Sequence, residues 1–436
     1  MRELVIVGYG AAGFAALIRA NELGVKPTVI GYGPLGGTCV NVGCVPSKRL
    51  LKLSREGKSY WEAFEDVKKF VEQMRKLKYE GVLAKYDVEL IEGRARFVSP
   101  SAVKVNGQVI EGKKFVIATG SSPFIPEIPG LREAGFWTNE HALFPDRKVD
   151  SLIILGGRAQ AIEFAQAFNN LKVEVAVLQR SRTLIPDWEP EVALEVQRVL
   201  EDEGVGVFTG VKVKEVRKAG ERKVVVTNLG EAEADEVLVA TGRRPNVDLG
   251  LQNAGVELNV RGGVKVNEFL QTTNPNVYAA GDVIGDKMLE PVAGYEGTIA
   301  AENALLGNRK RVDLDHVPQV IYTEPKVARV GLREEEVRNP DKRVLRMEDL
   351  VRANIEGETR GLIKMVVDRG TKRVLGVQMV GKEADSVIME AALIVKTGMT
   401  VDDIIDQVHP FPSMSEALRL VALSFYKDVK GLSCCV

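Results

Sequence analysis

The sequence predicts an α/β protein carrying two Rossmann-like nucleotide-binding units, and three observations support this. A strand, a glycine turn and a helix open the chain; a weaker copy begins near residue 150; and two apolar strands end in the same Ala-Thr-Gly. At 436 residues, 45% of them hydrophobic, the chain is too long for one core and rich enough for several. Lys and Arg number 59 against 60 Asp and Glu, so no net field would gather nucleic acid or anionic lipid, and neither is expected as a partner. MRELVIVGYG enters a strand without the basic and apolar stretches of a signal peptide. No apolar run approaches the roughly 18 residues of a membrane span, so a cytoplasmic protein without a membrane partner is expected.

In the first unit, ELVIV (3–7) is a short apolar strand, Gly8, Gly10 and Gly13 complete GYGAAG, and AALIRANEL continues as an amphipathic helix. The first glycine permits a tight turn, the second admits a pyrophosphate, and the third lets helix pack on strand. A purely structural glycine turn is the alternative. The acid that usually binds the ribose hydroxyls should end the second strand, PTVIGYG, but Gly31 stands there, which leaves the ribose contact unassigned.

The second unit starts at SLIILGG (151–157) and runs through GGRAQAIEFAQAF. Gly156 remains, Arg158 replaces the second glycine and Ala161 the third. The next strand, VEVAVLQ, ends at Gln179, where sites for NAD carry an acid, and Arg180 and Arg182 follow. Two guanidiniums there suit a 2′-phosphate, which favours NADPH; a solvated basic loop is the alternative. FVIATGSSP (115–123), with Thr119 and Gly120, and VLVATGRRPN (237–246), with Gly242, would each close one unit. VYAAGDVIG (277–285) sets Asp282 where a carboxylate can accept from a sugar-like chain, or else simply make a turn.

GGTCVNVGCVPSK (36–48) holds Cys39 and Cys44. Five residues apart, they would point about 140° away from each other on a regular helix, so a bridge requires a distorted helical start. In a reducing compartment such a pair reads as redox-active, and Lys48 would lower a thiol pKa. A zinc site and two inert thiols are the alternatives; His141, His316 and His409 show no ligand spacing. KSYWEAFEDVKKFVEQMRKLKYEGVLAKY (58–86) is expected to form one long helix. ADSVIMEAALIVKTG (384–398) is expected to form another, whose apolar stripe serves the core or a dimer contact.

GYGAAG, GGTCVNVGCVPSK, the two ATG segments and AAGD, in this order, resemble the FAD-dependent pyridine nucleotide-disulfide oxidoreductases, such as glutathione reductase and dihydrolipoamide dehydrogenase, over essentially the whole chain. The resemblance implies two Rossmann-like domains, for FAD (1–145 and 247–312) and NADPH (146–246), plus a C-terminal α+β dimerisation domain (313–436) in a homodimer. It implies that Cys44 lies against the flavin, that Cys39 meets the substrate, and that Lys48 sits near the flavin and pairs with Glu163. Gly33, Thr38, Asp282 and the backbone of Ala11, Ala12 and Ala95 would hold FAD.

Disulfide reductases of this family take a proton from a partner-subunit His that stands five residues before a Glu. In HPFPSMSE (409–416), Glu416 fits the acid, but Phe411 occupies the His position and His409 stands two residues early. Reducing a disulfide requires protonating a departing thiolate, whereas reducing a thiolate-bound metal ion needs only electrons and ligand exchange. Cys434 and Cys435 are neighbours, with Cα atoms about 3.8 Å apart, too close for a relaxed bridge, and so remain a dithiol suited to a soft metal ion. An accidental surface pair or a shared zinc half-site is the alternative. KDVKGLSCCV, VPQVIYTEPKVARVGL (317–332) and GGTCVNVGC resemble the mercury-reducing branch of the family, which usually carries Tyr at the Phe411 position. That resemblance implies that Hg(II), arriving as a thiol complex, passes from Cys434 and Cys435 of one subunit to Cys39 and Cys44 of the other and is reduced to Hg(0). The rival is a dihydrolipoamide-type reductase that uses His409.

Overall fold

The computed structural model describes residues 1–429; Cys434 and Cys435 lie outside them. Its first sheet centres on Arg2–Val7, a strand buried from Leu4 onward. Thr28–Gly31 and then Glu89–Glu92 lie on one side of it, and Gln108–Ile117 on the other, all parallel to it. Ala102–Val105 and Arg96–Ser99 extend the sheet antiparallel beyond Gln108–Ile117. Val277–Ala279 also pairs in parallel with Gln108–Ile117, so the segment after residue 247 returns to the first sheet.

The second sheet is wholly parallel, in the order Gly206–Thr209, Glu174–Gln179, Ser151–Leu155, Glu236–Val239. Ser151–Leu155 is buried at every residue. This is why SLIIL reads as an unbroken apolar run: a parallel strand covered on both faces has no polar side to alternate with. The chain leaves the first unit along Ser121–Pro123 and re-enters along Arg243–Pro245, and these two strands pair antiparallel at the crossing. The third sheet is antiparallel throughout, in the order Gln319–Ile321, Lys326–Gly331, Val374–Gly381, Leu362–Asp368, Pro340–Arg346. Helix Ala384–Thr397 contributes its buried Val387, Ile388, Ala391 and Val395 to the same core. The fold is therefore the expected one, two parallel α/β units and a C-terminal α+β unit.

The long helix starts where the sequence suggests. Ser59 and Glu62 form a capping box, with the Ser59 N–H donating to Glu62 Oε2 at 3.0 Å. It is not uniform, because Tyr60–Arg75 passes into a π-helical turn at Lys76–Glu80 before a last turn at Gly81–Leu83. In the widened turn Tyr79 meets Phe14 edge-on, with ring centroids 4.8 Å apart. Among the described residues, no helix is long and apolar enough to cross a membrane.

A buried ionic cluster joins the second unit to the third. Lys364, with its side chain 1% exposed, lies 2.9 Å from Glu189, 3.0 Å from Glu191 and 2.9 Å from Glu334. Removing the ammonium leaves three carboxylates facing one another. Lys364→Ala is therefore expected to destabilise the protein by about 2–3 kcal/mol, below the cost for a fully dry pair because Glu191 and Glu334 are partly exposed. Denaturant unfolding of the variant beside the parent measures this.

Candidate active site

Two short helices meet at the thiols. Gly37–Val42 carries Cys39 and Cys44–Arg55 begins with Cys44, the break falling at Gly43 (φ −130°, ψ −123°). A Cβ at residue 43 would stand 2.8 Å from the Thr38 carbonyl oxygen and 3.1 Å from Cys39 Cα, so only glycine allows the second helix to start so close to the first. The break removes the 140° separation of a regular helix and brings the sulfurs into hydrogen-bonding contact. Asn41 Nδ2 donates to the Leu35 and Gly37 carbonyls, each at 2.8 Å, and Asn139 Nδ2 to the Val42 carbonyl at 2.7 Å, which pins this segment from both sides.

The two sulfurs are electrostatically unequal. The S–H of Cys39 donates to Cys44 and the Lys48 ammonium lies close, so Cys44, an exposed residue, is held down to about 7 against the desolvation of its crevice and the nearby Glu163 and Glu290. Cys39 is pushed up, first because its proton is committed to Cys44 and then by burial. Near neutral pH the pair is one thiolate and one thiol sharing a proton.

Behind them, all three units converge. Lys48 Nζ lies 2.6 Å from Glu163 Oε2, on the helix Ala159–Asn170, and Glu163 Oε1 accepts the Tyr322 backbone N–H at 2.8 Å. The Tyr322 ring sits 5.0 Å from Lys48 Nζ. Burial lowers the Lys48 pKa, but the carboxylate of Glu163, itself 5% exposed, outweighs it and keeps the ammonium charged.

A second network borders the thiols. Ser121 Oγ donates to Asp282 Oδ2 at 2.5 Å, and Arg243 donates through Nε to Ser121 Oγ at 2.7 Å and through its terminal nitrogen to the Ser121 carbonyl at 2.6 Å. The same guanidinium lies 3.4 Å from Thr38 Oγ1. Glu296 Oε2 accepts the Gly281 N–H at 2.7 Å, and burial pushes this carboxyl up to about 7. Sequence reasoning missed Ser121, Arg243, Tyr322 and Glu296. The first two follow directly on ATG in ATGSS and ATGRR, and that shared placement was the available signal.

The two nucleotide turns are built alike. Gly8 (φ +112°) and Gly156 (φ +121°) both need the left-handed region, and a Cβ would stand 2.6 Å from the Ala118 carbonyl carbon in one and 2.8 Å from that of Ala240 in the other. Each ATG strand end thus lies over one glycine turn, with Gly120 and Gly242 opening onto free space. The helices Ala11–Glu22 and Ala159–Asn170 both begin without a side-chain cap, leaving their first N–H groups, including those of Ala11 and Ala12, to an anion. These features fit a dinucleotide in each turn. Gly10 faces Gly37, whose Cα would lie 3.9 Å from a Cβ at residue 10, Gly13 packs on the Gly8 carbonyl, Thr119 Oγ1 donates to the Asn246 carbonyl at 2.8 Å, and Ala95 is buried.

Gly31 is explained by Tyr9. A Cβ at residue 31 would lie 2.8 Å from Tyr9 Cγ, because the ring fills the space an acidic side chain would need, and its hydroxyl donates to the Gly33 carbonyl at 2.5 Å. In the second unit Arg180 and Arg182 are exposed and make no ion pair among the described residues. Gln179 instead turns inward, 6% exposed beneath Gly157, with Nε2 3.4 Å from the Thr183 carbonyl. Arg158 pairs with Asp187.

The C-terminal residues are distributed as follows. Phe411 is exposed, His409 Nε2 lies 2.8 Å from Glu390 Oε1, and Glu416 is buried with Oε2 unbonded among the described residues. Burial pushes the Glu416 carboxyl up. Among the described residues no three His, Cys, Asp or Glu side chains cluster as metal ligands, so a zinc site at the Cys39–Cys44 pair finds no third ligand there.

The pyridine nucleotide-disulphide oxidoreductase family model matches residues 2–301, and the dimerisation domain of that family matches residues 317–422. Mercuric reductases from Staphylococcus aureus and Lysinibacillus sphaericus are each 39% identical over 99% of this chain and 84% of theirs. The one from Streptomyces lividans is 35% identical over 99% of this chain and 98% of its own. Among solved structures, the HOCl-induced flavoprotein disulfide reductase RclA from Escherichia coli superposes with a TM-score of 0.91 at 28% identity, covering 98% of this chain and 100% of that one. Its Cu(II) complex gives the same TM-score and identity.

Two outcomes are expected of these contacts. Lys48→Met removes a positive charge that favours the Cys44 thiolate, so the pKa read from the pH dependence of its alkylation in reduced protein should rise by about one unit. Gly31→Glu restores the ribose acid to the sequence but drives it into the Tyr9 ring at a cost of about 1–3 kcal/mol, so flavin rebinding by the apoprotein should weaken about tenfold.

Proposed function

The chain belongs to the pyridine nucleotide-disulphide oxidoreductases, enzymes working with FAD and NADPH, and on that premise we propose that it forms a homodimer reducing thiol-bound Hg(II) to Hg(0). One observation carries the choice of substrate: two adjacent sulfurs, one a thiolate near neutral pH, in a chain with no histidine at the proton-donor position. Phe411 stands there, and His409 is engaged by Glu390. A disulfide substrate would leave a thiolate with no histidine at the usual position to protonate it; a soft cation needs only sulfur ligands. The full-length likeness to the mercuric reductases points the same way.

In this reading Cys434 and Cys435 of the partner subunit take Hg(II) from a small thiol and present it at the crevice. Cys39, the thiol that meets the substrate, displaces one incoming sulfur, and its proton leaves on the departing thiol. The Cys44 thiolate displaces the second without prior deprotonation, so the metal ends between two thiolates. Bound FAD would relay two electrons from NADPH to this site; the balance is Hg(II) plus a hydride equivalent giving Hg(0), NADP⁺ and one released proton. The first turn at Gly8–Ala12, Gly33, Thr38, Ala95, Thr119, Gly120 and Asp282 would hold the flavin nucleotide. The turn at Gly156, with Arg180, Arg182 and Gly242, would hold NADPH. Lys48, fixed by Glu163, keeps a positive charge beside the sulfur nearest the flavin, and Tyr322 closes that side against water. Glu416 would shape the partner's face of the crevice.

The test is steady-state NADPH oxidation by the flavin-loaded protein with HgCl2 in excess thiol, set beside NAD reduction with dihydrolipoamide. Hg(II)-dependent turnover with release of mercury vapour is expected, and dihydrolipoamide turnover without it would refute the proposal. Cys39→Ala should abolish turnover with Hg(II). Cys434→Ala with Cys435→Ala should lower kcat/KM for thiol-ligated Hg(II) by about tenfold or more, because delivery from a tethered dithiol gives way to delivery from solution.

A further inference from the structure

Between the three units, away from the thiols, lies a cavity of about 580 Å³, within the 300–1,000 Å³ range of small-molecule sites. One wall is apolar, from Val317, Val330 and Leu375. Seven charged side chains also line it, and their charges do not cancel. Asp187 is committed to Arg158, and Glu336 and Arg333 are committed to each other. Among the described residues Lys287 hydrogen-bonds only the Leu314 carbonyl, and Arg329 hydrogen-bonds the Asp187 carbonyl and the Gln319 side-chain oxygen at 2.9 Å while its guanidinium lies 4.9 Å from the Trp188 ring centre; neither has a carboxylate partner. The Arg373 guanidinium makes no hydrogen bond or ion pair among the described residues. It rests where Gly398 has no side chain, 2.8 Å from the position a Cβ there would take. Against these three cations the cavity offers one carboxylate without a cationic partner among the described residues, Asp315. Burial, and after it the neighbouring Arg333, push the Arg329 guanidinium down to about 10, with Glu336 acting against them. His316 adds a ring whose buried Nδ1 has no partner among the described residues, so no hydrogen bond fixes its orientation.

A cavity this size, with surplus cations along one side and aliphatic side chains along the other, is complementary to a compact anion with a short carbon skeleton. We propose that it binds a small organic dianion, a dicarboxylate or a phosphate monoester, at the junction of Lys287, Arg329 and Arg373. None of these residues belongs to the thiol site or to either nucleotide turn.

The experiment is calorimetric titration of the flavin-loaded protein with succinate and with glycerol 3-phosphate, at constant ionic strength, with saturating NADP⁺ blocking the nucleotide turn. Saturable binding of one equivalent per subunit is expected, weakened about tenfold by Arg373→Gln and likewise by Lys287→Gln, as loss of one charge-assisted hydrogen bond requires. Both variants should keep their NADPH oxidation with Hg(II), which also confirms their folding. Binding of only one of the two compounds supports the site and identifies its class. Absence of saturable binding by either, or binding unchanged in both variants, overturns it; neither result bears on the mercury reading, which is measured separately.

Discussion

The active site depends on residue 43 having no side chain. Without the break at Gly43, the helix that starts at Gly37 would run straight through Cys44 and hold the two sulfurs on different faces. With it, they share a proton, and that sharing makes them unequal: a reluctant thiol at Cys39 and a ready thiolate at Cys44. Lys48, one turn further along the same helix, is aimed by the same break and is kept charged by a carboxylate from the second unit. Glu163 is in turn held by the backbone of the third. One glycine therefore sets the local geometry, and two domain contacts set its electrostatics.

The nucleotide turns show how a fold tolerates departures from its usual residues. The first and second units place a carbonyl over a left-handed glycine in the same way, although the second has lost two glycines of the pattern. What survives in both is the glycine that combines a left-handed φ with a collision between its Cβ and the overlying carbonyl. The positions that changed, Arg158 and Ala161, are those where a side chain finds room or suits helix packing. Gly31 shows the converse: the acid is missing because Tyr9, inside the glycine motif itself, already occupies its volume. The two residues have to be read together, and neither substitution makes sense alone.

Sequence reasoning recovered what is encoded locally. Strand, turn and helix order, the interrupted helix between the two cysteines and the helix Ala384–Thr397 all follow from spacing within a few residues. It did not recover what long-range packing decides. Tyr322 reaches Glu163 across 159 residues and Arg243 reaches Ser121 across 122, and nothing near either residue announces its partner. Gln179 was read as facing the nucleotide because it ends a strand, yet it packs beneath Gly157, since a neutral amide can satisfy itself on the Thr183 carbonyl where an acid could not. The π-helical turn at Lys76–Glu80 leaves no trace in the apolar periodicity, which one extra residue shifts only slightly.

The most direct test is to count thiols. Anaerobic flavin-loaded protein, oxidised and then given one equivalent of NADPH per subunit, is alkylated with isotope-coded reagents before and after the addition and mapped by mass spectrometry. If Cys39 and Cys44 form the electron-accepting pair, both should be blocked before reduction and both labelled after it, with no change elsewhere in the described chain. Full labelling of Cys39 and Cys44 before NADPH is added, with no gain afterwards, would contradict the account at its base.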